Sequence, residues 1–135
     1  HSPLRAVVEA LVLPLAAKLD DPDGGAAYLR ICAQMFASEE LHSFRLRADR
    51  TRRSDTLMQA LLPRIPGLPP AQAKLRMQLV GSFLFHSLSD HAALQASLSG
   101  PQKKQQNRLF INHLIDCIVA MLSVVPQSPE EENND

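Results

Sequence analysis

The chain has no tryptophan, one tyrosine and two cysteines among 135 residues. With so few flat side chains, stacking on a planar, drug-like ligand has little to work with. Cys32 and Cys117 fall inside apolar segments and form neither CxxC nor a Cys/His ligand pattern, which predicts buried free thiols rather than a bridge or a metal site. No apolar run approaches the roughly 20 residues of a membrane span, and no signal-peptide pattern opens the chain. Neither sign of charge is in excess, Lys+Arg and Asp+Glu both being 14, so nothing draws the chain as a whole to nucleic acid or an anionic membrane. A cytoplasmic protein with no membrane contact is the reading these absences leave. No strand candidate and no repeat period shows either.

What remains is a helical pattern. Apolar residues make up 45% and charged ones 21%, the balance of a chain that folds around one core, and the length suits one domain. Ser2-Pro3 caps and starts a first helix over about 3–19, with Leu4, Val7, Val8, Leu11, Leu15 and Leu19 on one stripe and a kink, the candidate pivot, at Pro14. "DDPDGG" precedes a second helix to about Ala37 whose apolar side is Tyr28, Leu29, Cys32, Met35 and Phe36. Ser38 can cap a third segment that runs through an arginine-rich stretch to "PRIPGLPP". Two long helices follow, about 70–94 and 102–125, and an acidic tail from Pro126 predicts disorder. The expectation is an all-α domain of five to six helices over 1–125 with a disordered tail over 126–135.

Those last two helices are apolar on more than one face. At about 100° per residue, Leu79, Val80 and Phe83 take one sector and Met77, Gly81, Leu84, Phe85 and Leu88 the next. In the final helix Phe110, Leu114, Cys117 and Met121 adjoin Ile111, Ile115, Ile118 and Leu122. Such an arc belongs to a helix buried centrally or one shared with a second chain. Few other elements are available to cover two central helices, so the pattern predicts a homodimer with Leu84, Leu88, Ile111, Ile115, Ile118 and Leu122 at a four-helix interface. A specific interface of that kind buries about 800 Å² per partner. Gly81 suits a close helix approach, either to a second copy or within the chain.

The segments "LDDPDGGAAYLRICAQMFAS" and "LLPRIPGLPPAQAKLRMQLVGSFLFHSL", with the final apolar helix, resemble the C-terminal regulatory domain of TetR-family transcriptional repressors, over residues 4–125. The resemblance implies a bacterial repressor's pocket for a small, apolar effector and a dimer bundle made by the last two helices. It also implies a helix-turn-helix domain upstream; none is present in these 135 residues, and the start at His1 reads as a cut at a helix boundary. DNA contact is then expected only through that missing domain. An effector wall is expected from Met35, Phe36, Met58, Leu62, Phe83 and Phe110, with His86 as its polar anchor. No cofactor or metal is implied. A stand-alone helical module that binds another protein is the alternative.

Two further clusters carry weaker signals. Arg45, Arg47, Arg50, Arg52 and Arg53 suit phosphate contact, although Asp49 sits four residues from Arg45 and from Arg53 and marks a solvated helix face. His86, Ser87, Asp90 and His91, with His113 and Asp116, contain i,i+4 and i,i+3 pairs, but no HExxH, nucleophile elbow or phosphate-cradling loop accompanies them. Catalysis is therefore not expected, and satisfied structural histidines are the simpler reading.

Overall fold

The computed structural model describes residues 2–37, 59–65 and 67–127, with the side chain of Leu62 outside that description. Ser38, the arginine run, Met58 and the tail beyond 127 also lie outside the described residues. The elements are α1 (Pro3–Ala16), a 3-10 turn (Ala17–Asp20), α2 (Gly25–Ala37), a short 3-10 turn (Leu62–Arg64), α3 (Pro70–Leu94) and α4 (Gly100–Ser123). No strand occurs among the described residues. The fold is all-α.

Local chemistry sets each boundary. Ser2 Oγ accepts the Arg5 N–H at 3.1 Å, and Pro3 occupies the first helical turn, where its missing N–H has no helical partner to lose. The α-helix continues through the exposed Pro14 and tightens into the 3-10 form only at Ala17, so the first helix does not run as one α-helix to Leu19. A 3-10 turn has about three residues per turn, which keeps Leu19 in line above Ala16 and returns it to the core. The buried residues of α1 repeat strictly every four, Leu4, Val8, Val12 and Ala16, while Val7, Leu11 and Leu15 flank them partly buried.

The helices lie in the spatial order α1, α4, α3, α2, with α4 packed between α1 and α3, and α3 between α4 and α2. This arrangement corrects the expected dimer face. Leu84, Leu88, Ile115, Ile118 and Leu122 are buried inside the protomer, and Ile111 is half-buried against the same core. The reason is geometric: α4 has α1 and α3 both packed on it, Phe110 stacking on His91 of α3 and Asp116 reaching Arg5 of α1. On α3, Val80, Leu84 and Leu88 join the core shared with α1 and α4, while Gly81 and Phe85 face α2. The wide apolar arcs thus reflect two neighbours within one chain.

Other expectations shift too. On α2 the buried positions are Gly25, Leu29 and Ala33, whereas Tyr28 is exposed with the Lys18 ammonium 4.9 Å from its ring centre. Cys32 is half-buried and Cys117 exposed, both as free thiols, so neither is the fully buried thiol the apolar pattern predicts. Gly81 serves packing within the chain: a Cβ there would fall 2.8 Å from Cζ of Phe36.

Gly25 is the tighter of the two glycines. A Cβ on it would sit 2.0 Å from the Lys18 carbonyl oxygen, a backbone atom that cannot move without shifting the 3-10 turn. At Gly81 the obstacle is the far end of one ring, and a helix interior gains about 1 kcal/mol on replacing Gly by Ala. Gly25→Ala is therefore expected to lower stability by at least about 1–3 kcal/mol. Gly81→Ala should change it by less, and thermal melts of the two variants check the order.

Candidate functional site

The buried polar residues among those described, His91 and Asn107, meet at one end of the helix stack. His91 lies in the last turn of α3 and Asn107 in the second turn of α4, 8% and 2% exposed, and Asp20 closes the 3-10 turn after α1. The Asn107 amide NH₂ donates to Asp20 Oδ1 at 2.9 Å, and Asn107 Oδ1 lies 2.9 Å from His91 Nε2. A carboxylate can only accept, so the amide is turned with its oxygen toward His91, and His91 must carry a proton on Nε2. The imidazole is stacked on Phe110, ring centres 3.9 Å apart and planes within 5°. His91 is thus a satisfied core histidine. Beside this network, one turn beyond His91, Gln95 Oε1 is buried without a hydrogen-bond partner.

At the opposite end, Arg76 of α3 donates from Nη1 to the Met121 and Val124 carbonyls, each at 2.7 Å. The last turn of α4 contains no basic residue of its own. Arg76 supplies from a neighbouring helix the positive charge that exposed C-terminal carbonyls favour. Further along α4, Asp116 accepts from Arg5 Nη1 at 2.6 Å rather than pairing with His113, and Arg5 Nε also meets Glu9 at 3.1 Å. The hydrogen bond to Asp116 raises the Arg5 pKa above its ordinary value.

The expected effector wall does not come together as one surface. Phe36 lies in the α2–α3 contact, over Gly81 and 5.5 Å from Phe85 between ring centres; Met35, beside it on α2, is half-buried. Phe110 belongs to the polar end of the stack, on His91. Phe83 is two residues from Gly81, which turns it by about 200° to the other side of α3. His86, the expected polar anchor, is exposed. Met58 and the Leu62 side chain lie outside the described residues.

No sequence signal marked Asn107 or Arg76, because an isolated Asn or Arg in a helix is ordinary until its neighbours are known. Among the described residues no three His, Cys, Asp or Glu side chains are grouped as a metal would require. None of the described helices is long and apolar enough to cross a membrane.

The exposed apolar residues have their own arrangement. Leu75 and Leu79, 61% and 60% exposed, are one turn apart on α3. Arg76, the residue after Leu75, donates to the carbonyl of the exposed Val124. Leu75 and Leu79 of α3 and Val124 and Val125, just beyond α4, are thus exposed at the same end of the α3–α4 pair, with Leu109 exposed further along α4.

A family model described as tetracyclin repressor-like, C-terminal domain, matches residues 9–121. No curated protein and no solved structure gives a significant match.

Arg76 gives this end of the molecule a direct test. Arg76→Ala should cost about 1–3 kcal/mol, the range for a hydrogen bond to a charged group, and fray the last turn of α4. Arg76→Lys should restore only part, since one ammonium reaches two carbonyls less well than a planar fork. Thermal melts followed by circular dichroism give both values.

Proposed function

The chain belongs to the tetracyclin repressor-like C-terminal domain family, and from that premise we propose that it senses a small apolar effector and holds two copies of a TetR-type repressor together. A regulatory, ligand-binding role in such a regulator follows from the family; that class of domain is typically non-enzymatic. DNA binding is assigned to a helix-turn-helix domain elsewhere in the regulator.

The observation that carries the dimer is the exposure of Leu75 and Leu79 on α3 and of Val124 and Val125 just beyond α4, joined by the Arg76–Val124 hydrogen bond. Apolar side chains gathered on one exposed edge mark a contact surface more than scattered ones do. The proposed interface thus uses the outer edge of α3 and α4, in place of Leu84, Leu88, Ile115, Ile118 and Leu122, which serve the core.

The effector wall is placed at the α2–α3 contact. Phe36 supplies one side, and Met77, Gly81 and Phe85, spaced one turn apart on α3, supply the other. Methionine and phenylalanine give an adaptable apolar lining, and Met35 stands next to it. A ligand acts only if it prefers one arrangement of α1 against α4 over another; equal affinity for both would shift nothing.

Sedimentation at micromolar concentration is expected to give two copies per particle, and Leu79→Glu combined with Leu75→Glu to give one. A parent chain that sediments as one copy would sink the dimer and favour a module that binds a different protein. For the effector, a ligand at 100 times its Kd should add about 2.7 kcal/mol to stability. The matching rise in melting temperature should be reduced by Phe36→Ala, whereas a ligand shift untouched by that change would remove the α2–α3 wall.

A further inference from the structure

The apolar row of α2 begins buried, at Gly25, Leu29 and Ala33, and ends half-buried at Phe36. Gly81 and Phe85, which Phe36 meets on α3, are half-buried as well. This stretch keeps apolar surface within reach of a small molecule. At Gly81 the missing side chain leaves a notch in the surface of α3, and its occupant is the tip of the Phe36 ring. A Cβ there would fall 2.8 Å from Cζ, 2.9 Å from Cε2 and 3.8 Å from Cε1 of that ring. Two neighbouring ring carbons thus enter together, which is how a flat ring goes in by its edge. The Phe85 ring stands alongside, its centre 5.5 Å from that of Phe36 and its plane tilted by 38°. Ring pairs attract each other at such a separation. Among the described residues that meet at the notch, Phe36, Gly81 and Phe85, none is ionisable.

We infer that the Gly81 notch is the effector's seat, that the ligand it selects carries an aromatic ring with two adjacent C–H groups free, and that Phe36 fills the seat until such a ring displaces it. The inference rests on the effector reading above and adds to it the ligand's class and the residue that sets it. A flat ring presents an edge one carbon thick, which a notch one side chain deep admits. A saturated ring of the same size has hydrogens above and below its carbons and is too thick to enter as far. Phe85 adds an attraction that only another ring returns. A charged group would lose its hydration at the notch with no partner there, which excludes an ionic end of the ligand at this point. Exchanging one ring for another leaves the notch filled, and the net gain is the ligand surface buried beneath the displaced Phe36 ring, which then serves as the wall. Gly81 is the specificity-determining position, since one added methyl group fills the notch and leaves the rest of the contact apolar.

Fluorobenzene and fluorocyclohexane, titrated into the 135-residue chain and followed by fluorine NMR, test it. The parent should bind fluorobenzene about five-fold more tightly than fluorocyclohexane, a ratio within what one aromatic pair supplies. Gly81→Ala should weaken fluorobenzene by about ten-fold or more, as one surplus methyl group does in a close-fitting apolar site. Should Gly81→Ala fail to fold, Phe85→Leu keeps the apolar bulk and should bring the two probes to within about two-fold of each other. A general loosening of the fold would weaken both probes and leave their ratio alone. Undiminished binding of fluorobenzene to Gly81→Ala overturns the seat, and equal binding of the two probes by the parent overturns the aromatic class. A parent that binds neither probe overturns the inference as a whole. The proposed function outlives each of these results if a different apolar ligand raises the melting temperature and loses that effect in Phe36→Ala; a chain that no apolar ligand stabilises removes both.

Discussion

Everything in this fold depends on α4 being the middle member of a stack. It must satisfy α1 on one flank and α3 on the other, and its sequence does so with two adjoining apolar sectors. Leu114, Ile115, Ile118 and Leu122 are all buried, each contributing about 1.5–3 kcal/mol of transfer free energy. A helix that satisfies two neighbours has little circumference left for water, and the remaining strip contains Asn112, Asp116 and Ser123. From that strip Asp116 reaches back to α1, so even the polar edge helps to fix the stack. The one polar residue drawn inside, Asn107, lies where three elements meet and has a partner on each side of its amide.

This dependence explains which parts of the molecule were legible beforehand. Helix limits were clear wherever proline and glycine marked them: α3 begins at Pro70 and ends at Leu94 as its flanking signals indicate, and α2 ends at Ala37. The width of the apolar arcs on α3 and α4 was also plain. Their coverings were not, because periodicity gives the angle an apolar face spans and says nothing about what lies against it. Five of six residues assigned to a second chain proved to be core for that reason. The site suffered the same ambiguity. Phe36, Phe83 and Phe110 are alike as letters, yet Phe36 packs over Gly81 and beside Phe85 while Phe110 stacks on His91. His86 and His91 differ by little more than one helical turn, and only packing makes one exposed and the other buried. The shift to 3-10 geometry after Ala16 had no marker at all, since Leu19 continues the apolar pattern in either geometry.

With both sectors of α4 occupied within the protomer, pairing with a second copy has to use a different resource. Leu75, Leu79, Val124 and Val125 sit at one end of the α3–α4 pair, and Leu109 lies apart from them. A two-fold axis would use each residue twice, so even this modest cluster doubles in an isologous contact. It is still smaller than the contact expected from the sequence.

Such a division of labour matters for a regulatory domain. If the dimer were built from core residues, moving one helix against another would disturb the pairing with every ligand event. Here the surfaces proposed for pairing lie on the outer edge of α3 and α4, while α1 touches α4 from the far flank. The apolar steps along α1, every fourth residue from Leu4 to Ala16, form one ridge inclined to the helix axis. Work done at the α2–α3 contact can reach α1 through the 3-10 turn, which packs against α2, or through α4, and both routes pass close to Asp20 and Asn107.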